Sequence, residues 1–169
     1  MGQRTTIILQ HVKNENGKTS KETRVLYNQW GIGRITPANI MTILYSTLSV
    51  NLYCGDSLQG LCPAEMIDIT DGEMDELNKA DFDNPEFIGN IMRDAGNNNG
   101  GVFIKITSQP FNLQKIEFAF MLGSEEGGDY KTFCTSEEWI KRAGGRYFDD
   151  DFRKLWEGTI KYFEAIERV

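Results

Sequence analysis

The chain has 169 residues, of which 40% are hydrophobic and 25% are charged. These proportions are ordinary for a globular protein, and the length predicts a single domain over residues 1–169. No apolar run approaches the roughly 20 residues that a membrane helix needs, and the N-terminus lacks the small-residue cleavage site of a signal peptide. Three cysteines without a C-x-x-C pair argue against a disulfide framework and favour a reducing compartment, the cytoplasm.

Acidity is concentrated in one segment, which runs from Glu65 to Glu86. It contains nine acidic residues and one basic residue, so it carries a formal charge of −8, while the whole chain carries −7. This charge argues against direct binding to nucleic-acid phosphates. It favours a protein partner with a basic surface, because charge complementarity raises association rate and specificity. The acids that we expect to contact such a partner are Asp68, Asp71, Glu73, Asp75 and Glu76.

The first predicted element is a β-hairpin. Side chains alternate along Arg4–Val12 as they do in a strand, and the return strand runs from Thr23 to Gln29. Asn16 and Gly17 lie between the two strands, and the pair Asn-Gly accepts the positive φ angles of a tight hairpin turn.

The return strand leads at Trp30 into a glycine-containing turn. Gly31 and Gly33 interrupt the extended pattern, and a helix is predicted to follow, with Thr36 as its N-cap and a proline at its first position. Apolar residues recur in this helix with helical spacing, so it is predicted to pack on the sheet.

The arrangement of strand, Trp-x-Gly and helix at Val25–Leu48 resembles small uncharacterised proteins of bacterial and phage genomes. The resemblance implies an accessory or mobile-element protein. It transfers no functional residue to this chain.

The middle of the chain predicts one loop and one helix. Asp71–Asp83 is expected to be an acidic surface loop with a turn of helix at most, preceded by a short strand at Met66–Ile69. The next helix begins at Pro85, because proline fits the first turn, and ends at Gly96.

Three strands are predicted in the second half of the chain, followed by two helices. The strands Val102–Thr107, Lys115–Leu122 and Tyr130–Cys134 form an antiparallel meander. Thr135 and Glu138 have the spacing of a capping box at the start of a short helix. The last helix begins with the acidic run at Asp149.

Together these elements predict an α+β fold. Its sheet would have five or six strands, mostly antiparallel, made from the N-terminal hairpin and the C-terminal meander, with helices packed chiefly on one face.

The single histidine, His11, excludes H-E-x-x-H metalloproteases, zinc fingers and three-histidine zinc sites. A serine or cysteine nucleophile with a histidine base would have to use it, and the chain has none of the known nucleophile motifs, so we expect an ordinary strand or loop histidine. The acids Asp71, Glu73 and Asp75 have the alternate spacing of a calcium loop, but Glu76 occupies the position that requires glycine. The sequence therefore predicts no catalytic residue, no cofactor and no defined metal site, and it leaves open a looser divalent-cation site in the acidic segment.

We therefore expect a small acidic protein that acts as a non-catalytic interaction or regulatory module. The alternative is a protein, or a minor enzyme, that binds a small molecule or nucleotide phosphate at the strand-to-helix turn. Backbone N–H groups and an arginine at a helix N-terminus would suit an anion. The residues of that alternative site are Trp30, Gly31, Gly33, Arg34 and Thr36. The sequence does not determine the oligomeric state.

Overall fold

The computed structural model describes residues 4–28, 65–66, 71–94, 99–108, 114–144 and 154. Its strands are β1 (Thr5–Glu15), β2 (Lys18–Asn28), β3 (Glu65–Met66), β4 (Gly101–Ser108) and β5 (Gln114–Met121). Its helices are α1 (Asp71–Lys79), α2 (Pro85–Asp94) and α3 (Ser136–Gly144), and a 3₁₀ turn spans Ser124–Glu126. Among these residues no helix has the length and apolarity needed to cross a membrane.

The strands form one mixed sheet in the order β3-β2-β1-β4-β5. Four strands are full-length, while β3 contributes two residues beside β2. The pairs β1–β2, β2–β3 and β4–β5 are antiparallel, but the central pair β1–β4 is parallel, with Ile8 opposite Phe103. The predicted α+β fold is confirmed at this level. The parallel pairing was not predicted. A short turn requires antiparallel pairing only between strands that are consecutive in the chain, and β1 and β4 are not consecutive.

The N-terminal hairpin is confirmed. β1 and β2 are in register over their whole length, from Thr5 opposite Asn28 to Glu15 opposite Lys18. Asn16 has φ of 52° and Gly17 has φ of 75°, as a two-residue type I′ turn requires. These angles suit the pair Asn-Gly, so the local sequence is sufficient to set the register of this hairpin.

One face of the sheet packs against α1 and α2. Ile8, Val25 and Phe103 project from three adjacent strands into this layer. The helices contribute the buried residues Leu77, Ala80, Ile88 and Met92. Phe82, in the connection between the two helices, meets the ring of Phe103 edge to face, with centroids 5.1 Å apart.

The opposite face of the sheet is also buried. Ile7, Leu9 and Ile104 are almost fully shielded from solvent there. Trp139 of α3 is fully buried and packs on Phe120 with a centroid distance of 5.4 Å. Among the described helices, α1 and α2 thus share one face of the sheet and α3 packs on the other. Because β1 and β4 are covered on both sides, each contains a continuous apolar stretch, residues 7–9 in β1 and 102–104 in β4, where a strand with one exposed face would alternate.

A buried polar side chain connects the centre of the sheet to the end of α1. Gln10 of β1 has no exposed surface. Its Nε2 donates hydrogen bonds to the carbonyl oxygens of Leu77, at 3.2 Å, and Ala80, at 3.1 Å. The last carbonyls of a helix commonly lack intrahelical partners. Gln10 supplies the donor for the Ala80 carbonyl, while the Leu77 carbonyl also accepts a hydrogen bond from the Ala80 backbone N–H at 3.2 Å.

Two predicted elements are wrong. Asp71–Asp83 was expected to be a loop, but residues 71–79 form α1, because Met74 and Leu77 are spaced to bury one side of a helix and Gln10 caps its end. Tyr130–Cys134 was expected to be a third meander strand, but only a single bridge, Phe120–Cys134, joins it to β5. Tyr130 has φ of 59°, which lies outside the extended region and ends any strand there.

The helix beginning at Pro85 is confirmed, and so is the cap of α3, where the backbone N–H of Glu138 donates to Thr135 Oγ1 at 3.1 Å. Four other predicted features lie outside the described residues. They are the turn after Trp30, the helix capped by Thr36, the helix end at Gly96 and the helix beginning at Asp149.

The first prediction concerns Gln10. We expect Gln10→Met to lower the free energy of unfolding by about 1–3 kcal/mol, because the buried Ala80 carbonyl loses its donor and the Leu77 carbonyl keeps only the Ala80 backbone N–H. Urea denaturation followed by circular dichroism measures the change.

Thr23→Val is the matched control. Thr23 lies opposite Gln10 on β2, and its buried hydroxyl has no hydrogen-bond partner in the described part of the chain. Its replacement should leave stability unchanged or raise it. Equal losses in the two variants would contradict the role assigned to the Gln10 hydrogen bonds.

A second prediction concerns Gly89 in α2. A Cβ atom there would overlap the backbone carbonyl of Tyr130, because the helix lies directly against that segment. Alanine usually stabilises a helix interior by about 1 kcal/mol relative to glycine. Here we expect Gly89→Ala to destabilise the protein by about 1–3 kcal/mol, since the two segments must move apart. Asn90→Ala, one residue along the same helix, is the control and should not destabilise it in a urea titration.

Candidate functional site

The pair α1–α2 presents a group of exposed acids. We use the name acidic surface for Asp75 and Glu76 of α1, Asp83 of the connection and Glu86 in the first turn of α2, all of which are exposed. The helical period explains their position. Leu77 is buried against the sheet and Met74 packs against the same core, which leaves Asp75 and Glu76 on the outer side of α1.

Most carboxylates of the acidic surface are uncompensated within the described part of the chain. Asp75, Glu76 and Asp83 form no ion pair there. Glu86 approaches Lys131, but the atoms are 3.8 Å apart and both side chains are largely exposed. An exposed pair of this kind contributes little to stability. Within the described residues, the negative charge of the acidic surface is therefore largely not neutralised.

Asp81 belongs to the same acidic segment but has an internal role. Its Oδ2 lies 2.6 Å from Nζ of Lys105, a mostly buried residue of β4. Partial burial opposes ionisation of Asp81, but hydrogen bonds from Lys105 and from the Phe82 backbone N–H outweigh it and lower the pKa of the carboxyl. Asp81 thus ties the connection between α1 and α2 to the sheet.

A shallow cleft lies beside the acidic surface, between α1 and α2. Its lining combines apolar residues, Ala80 and the half-buried Phe87, with the polar residues Glu76, Lys79 and Asn84. Such a combination suits a side chain with an apolar stem and a charged end, as lysine and arginine have. The cleft is open to solvent and contains no buried ionisable group among its lining residues.

The structure describes only some of the predicted site residues. Asp75 and Glu76 lie together on the acidic surface, and their contact with a partner stays a prediction. Asp71 and Glu73 belong to α1, but only their backbone is described. The remaining predicted site residues lie outside the described residues, and their grouping stays a prediction: Trp30, Gly31, Gly33, Arg34, Thr36 and Asp68.

A second polar cluster, which sequence reasoning missed, lies after β5. Glu126 accepts a hydrogen bond at 2.8 Å from Nδ2 of Asn99, a buried residue just before β4. Its other carboxylate oxygen is buried and has no hydrogen-bond partner in the described residues. Burial raises the pKa of Glu126 more than the Asn99 hydrogen bond lowers it. No motif marks this pair, because the two residues are 27 positions apart.

No group of three or more potential ligands that could hold a metal ion occurs in the described ranges. Cys134 is half-buried there, and burial, reinforced by Glu138, raises the pKa of its thiol to about 11. A thiol of this kind stays protonated at neutral pH and is a poor nucleophile.

The environment of Glu126 generates a pH-dependent prediction. The folded state holds its proton more tightly than the unfolded state, whose pKa is near the ordinary value of 4.5. Folding stability should therefore fall as pH rises from that value through the raised pKa. We expect Glu126→Gln to be more stable than the unaltered protein at about pH 7 and to lose this advantage at about pH 4.

Urea denaturation at both pH values measures the difference. Glu125→Gln is the control, because it removes the same charge from an exposed neighbour in the same turn. The interpretation fails if Glu126→Gln has the same advantage at both pH values.

Comparison with protein-family models, with curated proteins and with solved structures found no match. Function is therefore argued from the geometry of the described residues, and the acidic surface with its adjacent cleft is the main candidate.

Proposed function

We propose that this protein is an interaction module that binds a protein partner carrying a basic surface, with the acidic surface and the adjacent cleft as its contact region. One observation carries the proposal: Asp75, Glu76 and Asp83 are exposed on one pair of helices and form no ion pair within the described residues. The odd number of cysteines supports the cytoplasm as the place of action.

Electrostatics explains how such a surface would select its partner. Neighbouring carboxylates repel one another in the free protein, and a lysine or arginine cluster would relieve this repulsion on binding. Exposed charges contribute mainly to association rate and to rejection of acidic competitors. They also repel nucleic-acid phosphates, so a protein is the better partner.

The cleft would add contact energy to this charge complementarity. Phe87 and Ala80 offer apolar contact, and Glu76 at the same cleft offers a carboxylate. The stem of a lysine or arginine could lie on the apolar part while its charged end meets Glu76. Large side chains that bury apolar area at the centre of an interface typically supply most of its energy.

The proposal predicts a charge-specific loss of binding. Partners captured from a lysate of the native host by the full chain should be lost when Asp75, Glu76 and Asp83 are changed to Asn, Gln and Asn. For a purified partner we expect the dissociation constant to rise at least about tenfold, or about 1.4 kcal/mol spread over three exposed charge pairs. Biolayer interferometry at low and high salt measures the constant.

The matched control is a second triple variant, in which the exposed acids Glu15, Glu125 and Glu137 are changed to Gln. It alters the net charge by the same amount away from the acidic surface. We expect it to bind with little change. The proposal is wrong if both triple variants bind equally, or if the affinity of the unaltered protein does not fall with salt.

A further inference from the structure

A serine and the only histidine of the chain are in contact on the sheet. His11 lies in β1, and Ser108 is the last residue of the parallel neighbour β4. His11 Nε2 and Ser108 Oγ are 2.9 Å apart, which is hydrogen-bond distance. Both side chains are only partly buried. The contact joins residues 97 positions apart, so no local motif could reveal it.

An acid stands on the other side of the histidine. In the antiparallel pair β1–β2 the residue opposite His11 is Glu22. Ser108, His11 and Glu22 therefore follow one another across three adjacent strands on the same face, in the order nucleophile, base and acid. Arg24 holds the Glu22 carboxylate at 2.8 Å.

The histidine is in the protonation state that a base needs. Burial is the main cause that lowers the pKa of His11, and the charge of Lys13 on the same strand lowers it further. The charge of Glu22 raises this pKa, but by less. The imidazole is therefore neutral at neutral pH. Its Nε2 can then accept the hydrogen bond of the Ser108 hydroxyl, provided that Nδ1 carries the ring proton.

From this geometry we infer that Ser108 is a nucleophile, that His11 is its general base, and that the protein accepts acyl groups from carboxylic esters. The pair is distinct from the acidic surface, because α1 and α2 cover the opposite face of the sheet. The inference therefore does not depend on the proposed partner binding.

The reaction has the following balance. The Ser108 oxygen attacks the ester carbonyl carbon while His11 Nε2 takes the hydroxyl proton. The bond between that carbon and the leaving oxygen breaks, and the leaving alcohol receives the proton from His11. The product is an acyl ester on Ser108, which water hydrolyses by the same proton transfers. Glu22 acts here through its charge, which favours the imidazolium that forms between the two transfers.

The test uses the full chain and p-nitrophenyl acetate, an activated ester. Release of p-nitrophenolate gives the rate, and peptide mass spectrometry locates the acetyl group. We expect acetylation of Ser108, its loss in Ser108→Ala, and a rate at least about 100-fold lower in His11→Gln. The rate should also fall as pH drops through the pKa of His11, and this inflection should be absent in His11→Gln.

Ser20→Ala is the control, because Ser20 is an exposed serine on the same face of β2. It should react like the unaltered protein. Thermal melts show that each variant is folded. The inference is overturned if Ser108 carries no acetyl group, if only lysines are acetylated, or if folded His11→Gln acetylates Ser108 at the unaltered rate.

Discussion

The carboxamide of Gln10 joins the central strand β1 to the end of α1, and this contact constrains where α1 lies on the sheet. Burying a polar group raises the free energy of the folded state unless the group is hydrogen-bonded, and the last carbonyls of a helix are subject to the same penalty. Gln10 has no exposed surface, and its Nε2 donates to the carbonyls of Leu77 and Ala80. In another placement of α1 the Nε2 donor and the Ala80 carbonyl would not meet. The contact therefore favours the observed placement of α1 over others with similar apolar packing.

The acidic surface is a consequence of that placement. Once Leu77 is buried, the helical period puts Asp75 and Glu76 outside, and Asp81 comes within reach of Lys105. One segment thus contains two kinds of carboxylate. Asp81 forms an ion pair with Lys105, is partly buried and ties the helix connection to the sheet. Asp75, Glu76 and Asp83 are exposed and form no ion pair among the described residues. The proposed partner binding depends on these exposed carboxylates.

The parallel pairing of β1 with β4 gives the sheet its second chemical feature. It buries both central strands on both faces, and it brings Ser108, the last residue of β4, beside His11 of β1. The two candidate regions lie on opposite faces. The proposed partner surface and the proposed nucleophile therefore lie on separate faces of one sheet. A substitution in one region is expected to leave the other unchanged.

Local chemistry was enough to predict the hairpin turn at Asn16-Gly17, the start of α2 at Pro85 and the cap at Thr135, because each depends on residues close in the chain. The clustering of acidic residues between Glu65 and Glu86 was also evident from the sequence. Other features were decided by tertiary structure, because they depend on contacts between distant residues. Part of the acidic run forms α1, which packs Leu77 against the sheet and bonds to Gln10 at its end. The segment Tyr130–Cys134 begins with a left-handed backbone at Tyr130 and makes one bridge to β5. The sequence alone determined which acids this protein carries; its tertiary structure decided which of them are exposed, and placed its single histidine beside a serine.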